Sequence, residues 1–195
     1  MVIGKFGNTY REVLKSFKKN VIKFKNQSLN DRLELILTKT TKKFSDVVRK
    51  LNPDLIVIHG DRVEALSCAL VGSLNHILTA HIEGGEVSGT IDDTIRHAVT
   101  KLSHIHFVGS NSAYKRVLKM GENKKYVWNT GCPSLDLIKD DLKIQKNFWK
   151  THGGTGFEVD LYDKYIVVLQ HPVTTEYDQA YNQMSISLKA IKSLN

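Results

Sequence analysis

The chain has 195 residues, of which 41% are hydrophobic and 25% are charged. These proportions are ordinary for a folded globular protein, and the length fits one domain or one domain with part of a second. No run of about 18 apolar residues is present, so the sequence predicts no membrane-spanning helix. Residues 1–6 lack the charged and then apolar layout of a secretory signal, which predicts a cytoplasmic protein.

The 28 basic and 20 acidic residues give a net charge of +8. Lysines are densest in residues 15–25 and 39–50, without interleaved aromatic side chains or a basic stripe. Because a nucleic-acid surface needs one or the other, the sequence predicts no nucleic-acid partner. A solvated lysine-rich face, which could steer an anionic small ligand, is the simpler interpretation. Cys68 and Cys132 have no CxxC or CxxH companion, so both are predicted to be free thiols.

Helix-like and strand-like segments alternate along the chain. Apolar residues at three- and four-residue spacing predict helices over 30–50, 65–74, 91–102, 112–120 and a last stretch ending at 194. Short apolar runs predict strands over 55–58, 77–82, 105–108, 126–128 and 165–169. The run Leu55–Ile58 is typical of a strand buried on both faces of a parallel sheet. The alternation therefore predicts an α/β protein with a doubly wound parallel sheet.

Residues 139–163 interrupt this alternation, because the segment is polar and contains Gly153, Gly154 and Gly156. It is predicted to be a helical connector and loop, in which the glycines form a flexible turn. A second α/β unit then begins at residue 164. The predicted organisation is one domain over 1–138, a connector over 139–163 and the start of another domain over 164–195.

Polar residues follow each of the first four predicted strands. These stretches are His59–Arg62, His81–Gly85, Gly109–Asn111 and Thr130–Ser134. Ligands of open parallel sheets bind beyond the carboxyl ends of the strands. The sequence therefore predicts that four neighbouring strand ends line one crevice.

The run from His81 to His97 is the densest in groups able to do chemistry. Thr90 and Asp93 have the spacing of a capping box, which would start a helix and place Asp92 and Asp93 in its first turn. Asp92 with Arg96, and Asp93 with His97, would then be i,i+4 pairs. Asp93 is interpreted as structural, whereas Asp92 and Arg96 are interpreted as functional because they begin beside a glycine-rich turn.

Glu83 ends a strand that is predicted to be buried. An unpaired carboxylate is costly in such a place. The sequence therefore predicts a raised pKa for Glu83 and a role in acid/base chemistry.

A metal site is the competing interpretation for some of these groups. His104 and His106 would point to one face of a strand, and His59, Asp61 and His81 lie at adjacent strand ends. Zinc sites usually show HxxxH, CxxC or a tighter cluster, so no metal is predicted. No P-loop, G-x-G-x-x-G or G-x-S-x-G motif is present, which disfavours nucleoside triphosphatases, nicotinamide enzymes and serine hydrolases.

Several long ungapped motifs resemble the hydrolysing UDP-N-acetylglucosamine 2-epimerases of sialic acid biosynthesis. The motifs lie at residues 58–62, 81–93, 95–97, 100–102, 131–134 and 169–174. Non-hydrolysing bacterial epimerases share the Gly-Asp-Arg and His-x-Glu elements but differ after the glutamate. The stretch Gly84–Gly89 therefore favours the hydrolysing branch.

The resemblance implies two Rossmann-like domains, similar to the GT-B glycosyltransferases, with a UDP-sugar bound in the cleft between them. The implied reaction removes the C2 proton while UDP leaves C1, and water then adds to the glycal to release N-acetylmannosamine. It implies no cofactor and no metal, and full-length relatives are expected to be homo-oligomers.

The resemblance also implies roles for individual residues. Asp61, Glu83 and Asp92 would be the acid/base and orienting carboxylates, Arg96 their partner, and His171 a group of the second domain that faces the diphosphate. Which carboxylate takes the C2 proton stays open. The substrate-binding candidates are Arg62, Gly84, Gly85, Glu86, Ser88, His97 and Ser134.

Two elements expected from the resemblance are missing from the sequence. Relatives begin with a strand that carries Gly-Thr-Arg, and their second domain contains Gly-Asn-Ser-Ser. We therefore expect a truncated epimerase whose first domain lacks its first strand, with reduced stability and little or no activity alone. The alternatives are a non-catalytic remnant or partner-binding fragment, and an epimerase of bacillosamine-type UDP-sugars.

Overall fold

The structure is a computed structural model that describes residues 8–17, 20–138 and 148–194. It divides into two compact units, Met1–Leu137 and Ile138–Asn195. No helix of the described residues is long and apolar enough to cross a membrane.

A four-stranded parallel sheet organises the first unit. Its strands are β1 (Leu55–His59), β2 (Leu78–Ile82), β3 (Ile105–Val108) and β4 (Val127–Asn129). They lie side by side in the order β1-β2-β3-β4, and every pair is parallel. This confirms the predicted α/β fold, and it brings the four carboxyl ends of the strands to one edge of the sheet.

Helices connect the strands and precede them. In the first unit they are α1 (Tyr10–Ser16), α2 (Leu33–Leu51), α3 (Val63–Leu74), α4 (Ile91–Lys101) and α5 (Asn111–Lys119). Short 3-10 turns span Lys124–Tyr126 and Pro133–Leu137. The predicted helices and strands of this unit are confirmed to within a few residues. Helix α2 ends at Asn52, which takes a left-handed conformation directly before Pro53 and cannot extend the helix.

The main core lies between the sheet and helices α2, α3 and α4. It contains Val48, Ile56, Ile58, Ala65, Ala69, Val71, Ile95 and Val99. A smaller cluster of Val108, Ala113, Val117 and Val127 joins α5 to β3 and β4. Apolar side chains of α2 to α5 thus share two clusters with the strands, and this packing holds the strand ends in place.

Burial of β1 alternates along the strand, contrary to the prediction that Leu55–Ile58 is buried on both faces. Ile56 and Ile58 are buried, whereas Leu55 is 44% and Val57 56% exposed. The reason is that α2 and α3 cover only the face that Ile56 and Ile58 share, since side chains alternate along a strand.

The described part of the second unit contains helices and irregular segments. It contains α6 (Phe148–His152), a 3-10 segment (Thr174–Gln179) and α7 (Ala180–Lys192), which confirms the predicted last helix. The predicted strand 165–169 is wrong, because these residues form no strand and Val167 and Leu169 are about four-fifths exposed. A strand needs a neighbouring strand for its hydrogen bonds, and no other strand occurs within the described residues 148–194.

Candidate functional site

The site lies where β1 to β4 end. Backbone turns with positive φ follow three of these strands, at Gly60 after β1, at Glu83 and Gly85 after β2 and at Gly131 after β4. They direct the following loops across the same edge of the sheet. The predicted meeting of the strand ends is therefore confirmed.

Arg96 of α4 is the buried cation of the site, with only 6% of its side chain exposed. Its guanidinium binds the Asp61 carboxylate, donates to Asp93 Oδ1 at 2.6 Å and donates to the Glu86 carbonyl oxygen at 2.7 Å. Burial alone would lower the pKa of Arg96, but the hydrogen bonds to Asp61 and Asp93 outweigh it and raise that pKa. The permanently charged guanidinium thus joins the β1 loop to the loop before α4.

The helical pairs predicted around Arg96 are wrong. Arg96 binds Asp93 rather than Asp92, because its guanidinium turns toward Asp61 and meets the carboxylate three residues before it. Asp92 instead accepts a hydrogen bond from the Thr90 hydroxyl at 3.2 Å. His97 does not bind Asp93, and its Nδ1 is buried without a hydrogen-bond partner among the described residues.

Asp93 organises the loop in front of α4, which agrees with its structural interpretation. Its carboxylate accepts hydrogen bonds from the backbone N–H of Ser88 at 2.7 Å and of Gly89 at 2.8 Å. These bonds hold the pKa of Asp93 well below its usual range, and the bond from the Ser88 N–H has the largest effect. The capping box is incomplete, because the Thr90 hydroxyl accepts from the N–H of Asp92 and not of Asp93. Ser88, predicted as a substrate contact, is bound to Asp93 through its hydroxyl as well.

Glu83 is paired, contrary to the prediction that it is an unpaired carboxylate with a raised pKa. His59 Nε2 lies 2.7 Å from Glu83 Oε2. The nearby Cys132 thiol, and after it the His59 imidazole, lower the pKa of Glu83. The prediction failed because both partners come from other strand ends. The sequence indicates His59 only as a possible metal ligand and Cys132 only as a free thiol.

His81 is completely buried below this layer of charged groups. Its Nε2 lies 3.0 Å from the Gly60 carbonyl oxygen, and its Nδ1 lies 3.1 Å from the Thr100 hydroxyl. Desolvation lowers the pKa of His81 to about 4. The imidazole is therefore neutral at pH 7. Because a carbonyl oxygen only accepts, Nε2 carries the proton and the unprotonated Nδ1 lies beside the Thr100 hydroxyl.

Gly84 and Gly85 allow a close approach of backbone to the helices. A Cβ at Gly84 would lie 2.9 Å from His81 Nδ1 and 2.9 Å from Thr100 Oγ1. At Gly85, where φ is +81°, it would lie 2.7 Å from the Ala113 carbonyl oxygen. Both residues were predicted to bind substrate, and their packing alone requires glycine. Arg116 donates to the Gly85 carbonyl oxygen, a contact that the sequence did not indicate.

The remaining predicted substrate contacts differ in setting. The Glu86 carboxylate accepts a hydrogen bond from the Ser110 hydroxyl at 2.8 Å, which ties the loop after β2 to the end of β3. Arg62 is exposed and lies 3.3 Å from Glu64, and Ser134 is exposed in the turn after β4. His171 is exposed and belongs to the second unit.

The two histidines considered as a strand-face metal pair lie in different environments. His104 is exposed and its Nδ1 accepts from the Thr79 N–H, whereas His106 is buried with Nε2 3.3 Å from Glu122. They differ because β3 begins at Ile105, so His104 precedes the strand. In the part of the chain that the structure describes, no three His, Cys, Asp or Glu side chains are arranged to hold a metal.

Comparison with known proteins identifies relatives of the whole chain. The family model described as UDP-N-acetylglucosamine 2-epimerase matches residues 4–195. A UDP-N-acetylglucosamine 2-epimerase from Neisseria meningitidis is 39% identical over 88% of this chain and 44% of its own length. The hydrolysing GDP/UDP-N,N'-diacetylbacillosamine 2-epimerase of Campylobacter jejuni is 35% identical over 97% of this chain and 49% of its own length. The chain thus spans about half the length of these relatives.

Solved structures share the fold. The Neisseria meningitidis UDP-GlcNAc 2-epimerase bound to UDP-GlcNAc superimposes with a TM-score of 0.57 at 24% identity, over 66% of this chain and 36% of that one. The UDP-GlcNAc 2-epimerase of Methanocaldococcus jannaschii gives a TM-score of 0.56 at 22% identity, over 62% and 34%. With a family match over nearly every residue, the chain belongs to the UDP-N-acetylglucosamine 2-epimerase family.

Proposed function

We propose that this chain carries the acid/base carboxylates in the active site of a hydrolysing UDP-N-acetylglucosamine 2-epimerase. The observation that carries the proposal is the cluster at the strand ends, where Asp61 is bound to Arg96 and Glu83 is bound to His59. Family membership and the UDP-GlcNAc bound by the Neisseria meningitidis relative support a UDP-sugar as substrate.

The reaction needs a base, an acid and stabilisation of the departing diphosphate. A carboxylate takes the C2 proton, the electrons of the C2–H bond form the C1=C2 double bond, and UDP leaves with the electrons of the C1–O bond. Water then adds to C1 while a proton is delivered to the opposite face of C2, which gives N-acetylmannosamine.

The contacts of the cluster suit this division of roles. Glu83 is ionised near neutral pH and can accept a proton, but its lowered pKa makes it a weaker base than an ordinary glutamate. The guanidinium of Arg96 points at Asp61 and Asp93, so Arg96 orients carboxylates rather than binding phosphate. Asp92 lies in the first turn of α4 as a second acid/base candidate. Contact of His171 with the diphosphate remains part of the proposal.

A bacillosamine-type UDP-sugar is a second candidate substrate. The 35% identity to the Campylobacter jejuni enzyme extends over 97% of this chain, more than the 88% matched by the Neisseria meningitidis enzyme. A non-catalytic remnant is the third candidate, which the release of UDP distinguishes from the first two.

Release of UDP tests the proposal and separates the three candidates. The chain is incubated with UDP-N-acetylglucosamine or UDP-N,N'-diacetylbacillosamine, alone and with a second chain that supplies the remaining length of the Neisseria meningitidis relative. We expect little or no UDP from the chain alone, and UDP release from UDP-N-acetylglucosamine in the mixture. Release only from the bacillosamine sugar would support the second candidate. Folded chains that release no UDP from either sugar would support the remnant.

A further inference from the structure

The contact between His59 and Glu83 joins two neighbouring strand ends. His59 is the last residue of β1, and its partner in the sheet is Ile82, the residue before Glu83. Nε2 lies 2.7 Å from Oε2, while the side chains are 55% and 25% exposed. An N–H of the imidazole therefore donates to the carboxylate at the open edge of the sheet, where a ligand has access to both groups.

The backbone of Glu83 is held in an unusual conformation. Its φ is +63°, in the left-handed region that costs a residue with a side chain about 1 kcal/mol or more. Its N–H donates to the Phe107 carbonyl oxygen at 2.8 Å, and Gly84 leaves no space for a Cβ against His81 and Thr100. Such strain persists where the surrounding structure enforces it, and it concentrates at functional sites.

The charged and polar groups facing Glu83 come from three elements. They are His59 from β1, Cys132 from the segment after β4 and Arg96 from α4. The His59 imidazole binds the carboxylate directly, whereas the Arg96 guanidinium is bound to Asp61 and Asp93. Glu83 is thus oriented by the imidazole instead of a permanent cation.

We propose that His59 is a positioning residue, whose Nε2–H aims the Glu83 carboxylate at C2 of the sugar. This inference rests on the proposed function, because it takes Glu83 as a group that touches the substrate. His59 itself acts through Glu83. Without the His59 imidazole, the backbone of Glu83 should stay in place while its side chain becomes free to rotate. This rotation would misplace a reacting oxygen by about an ångström or more.

The orientation is testable without turnover. NMR three-bond coupling constants about χ1 of Glu83 report its rotamer in the full chain at pH 7. The Glu83 signals are assigned by their loss in Glu83→Gln. We expect one rotamer in the native chain and in His59→Gln, which keeps a side-chain N–H donor, and averaged couplings in His59→Ala. An unchanged single rotamer in His59→Ala would overturn the proposal. His152→Ala removes an exposed imidazole of the second unit and should change nothing.

The kinetic test uses the two-chain mixture described above. His59→Ala should lower kcat roughly tenfold to a hundredfold with little change in KM, and His59→Gln should restore most of the loss. Equal kcat values for His59→Ala and the native chain would overturn the proposal. If the native mixture releases no UDP, the proposed function fails, whereas the rotamer measurement still decides whether His59 orients Glu83.

Discussion

A single guanidinium, that of Arg96, pairs with two carboxylates from different parts of the chain. Only 6% of its side chain is exposed, against 31% for Asp61 and 19% for Asp93. Removing one partner of a buried ion pair leaves the other charges desolvated and uncompensated. The stability of the first unit should therefore depend strongly on this residue.

We predict that Arg96→Met lowers the free energy of unfolding by about 3 kcal/mol. Urea unfolding monitored by circular dichroism measures the change. Arg49→Met is the matched control, because Arg49 is 71% exposed and its ion pair with Asp46 lies on the surface. It should cost at most about 1 kcal/mol. Equal losses in the two variants would contradict the assigned role of Arg96.

Gly85 and Gly121 provide a matched pair for the close approach of backbone to helix. Both have positive φ, +81° and +90°, but a Cβ meets the Ala113 carbonyl oxygen at 2.7 Å only at Gly85. Gly121→Ala should cost about 1 kcal/mol from backbone strain alone. Gly85→Ala should cost a further 1–3 kcal/mol or so because atoms must move apart. Similar unfolding midpoints in urea would show that the packing at Gly85 is less tight than described.

Protonation of His81 should affect the contacts between several elements of the fold. This imidazole links β2 to the Gly60 turn after β1 and to Thr100 of α4. Its pKa is lowered from 6.5 to about 4 in the folded chain. Between these values the unfolded chain binds the proton more readily, so the stability contribution is complete above pH 6.5 and is lost as the pH falls toward 4.

We predict that the free energy of unfolding decreases by about 3 kcal/mol between pH 6.5 and pH 4 on account of His81. Burial also lowers the pKa of His106, so it acts in the same direction. Urea titrations across this range measure the slope for the native chain and for His81→Asn. A variant with the same slope as the native chain would assign the pH dependence to other groups.

The order of elements in the first unit follows from local patterns, and so it was predictable. Apolar spacing defined α2 and α4, and short apolar runs defined β1 and β3. The strand over 165–169 was wrong because its apolar run satisfies the pattern but finds no neighbouring strand among the described residues of its unit. Sheet formation depends on partners that a local pattern does not contain.

The site was predictable in its location and not in its contacts. Asp61 and Glu83 do lie at the strand ends, as the polar stretches indicated, and Arg96 reaches Asp61 from α4. Their partners could not be derived, because Arg96 binds an aspartate 35 residues away and Glu83 binds a histidine 24 residues away. Asp92 is nearer in the sequence and has the expected i,i+4 spacing, but the Arg96 guanidinium points toward Asp93 instead.

For the whole molecule, we propose that the carboxylates at the strand ends remove and return the proton on C2. Proton NMR in D₂O tests it most directly, with UDP-N-acetylglucosamine and the chain combined with the remaining half of the Neisseria meningitidis relative. The account predicts UDP and N-acetylmannosamine that carries deuterium at C2, and no product with Glu83→Gln. Product that retains its original hydrogen at C2, or full turnover by Glu83→Gln, would contradict it.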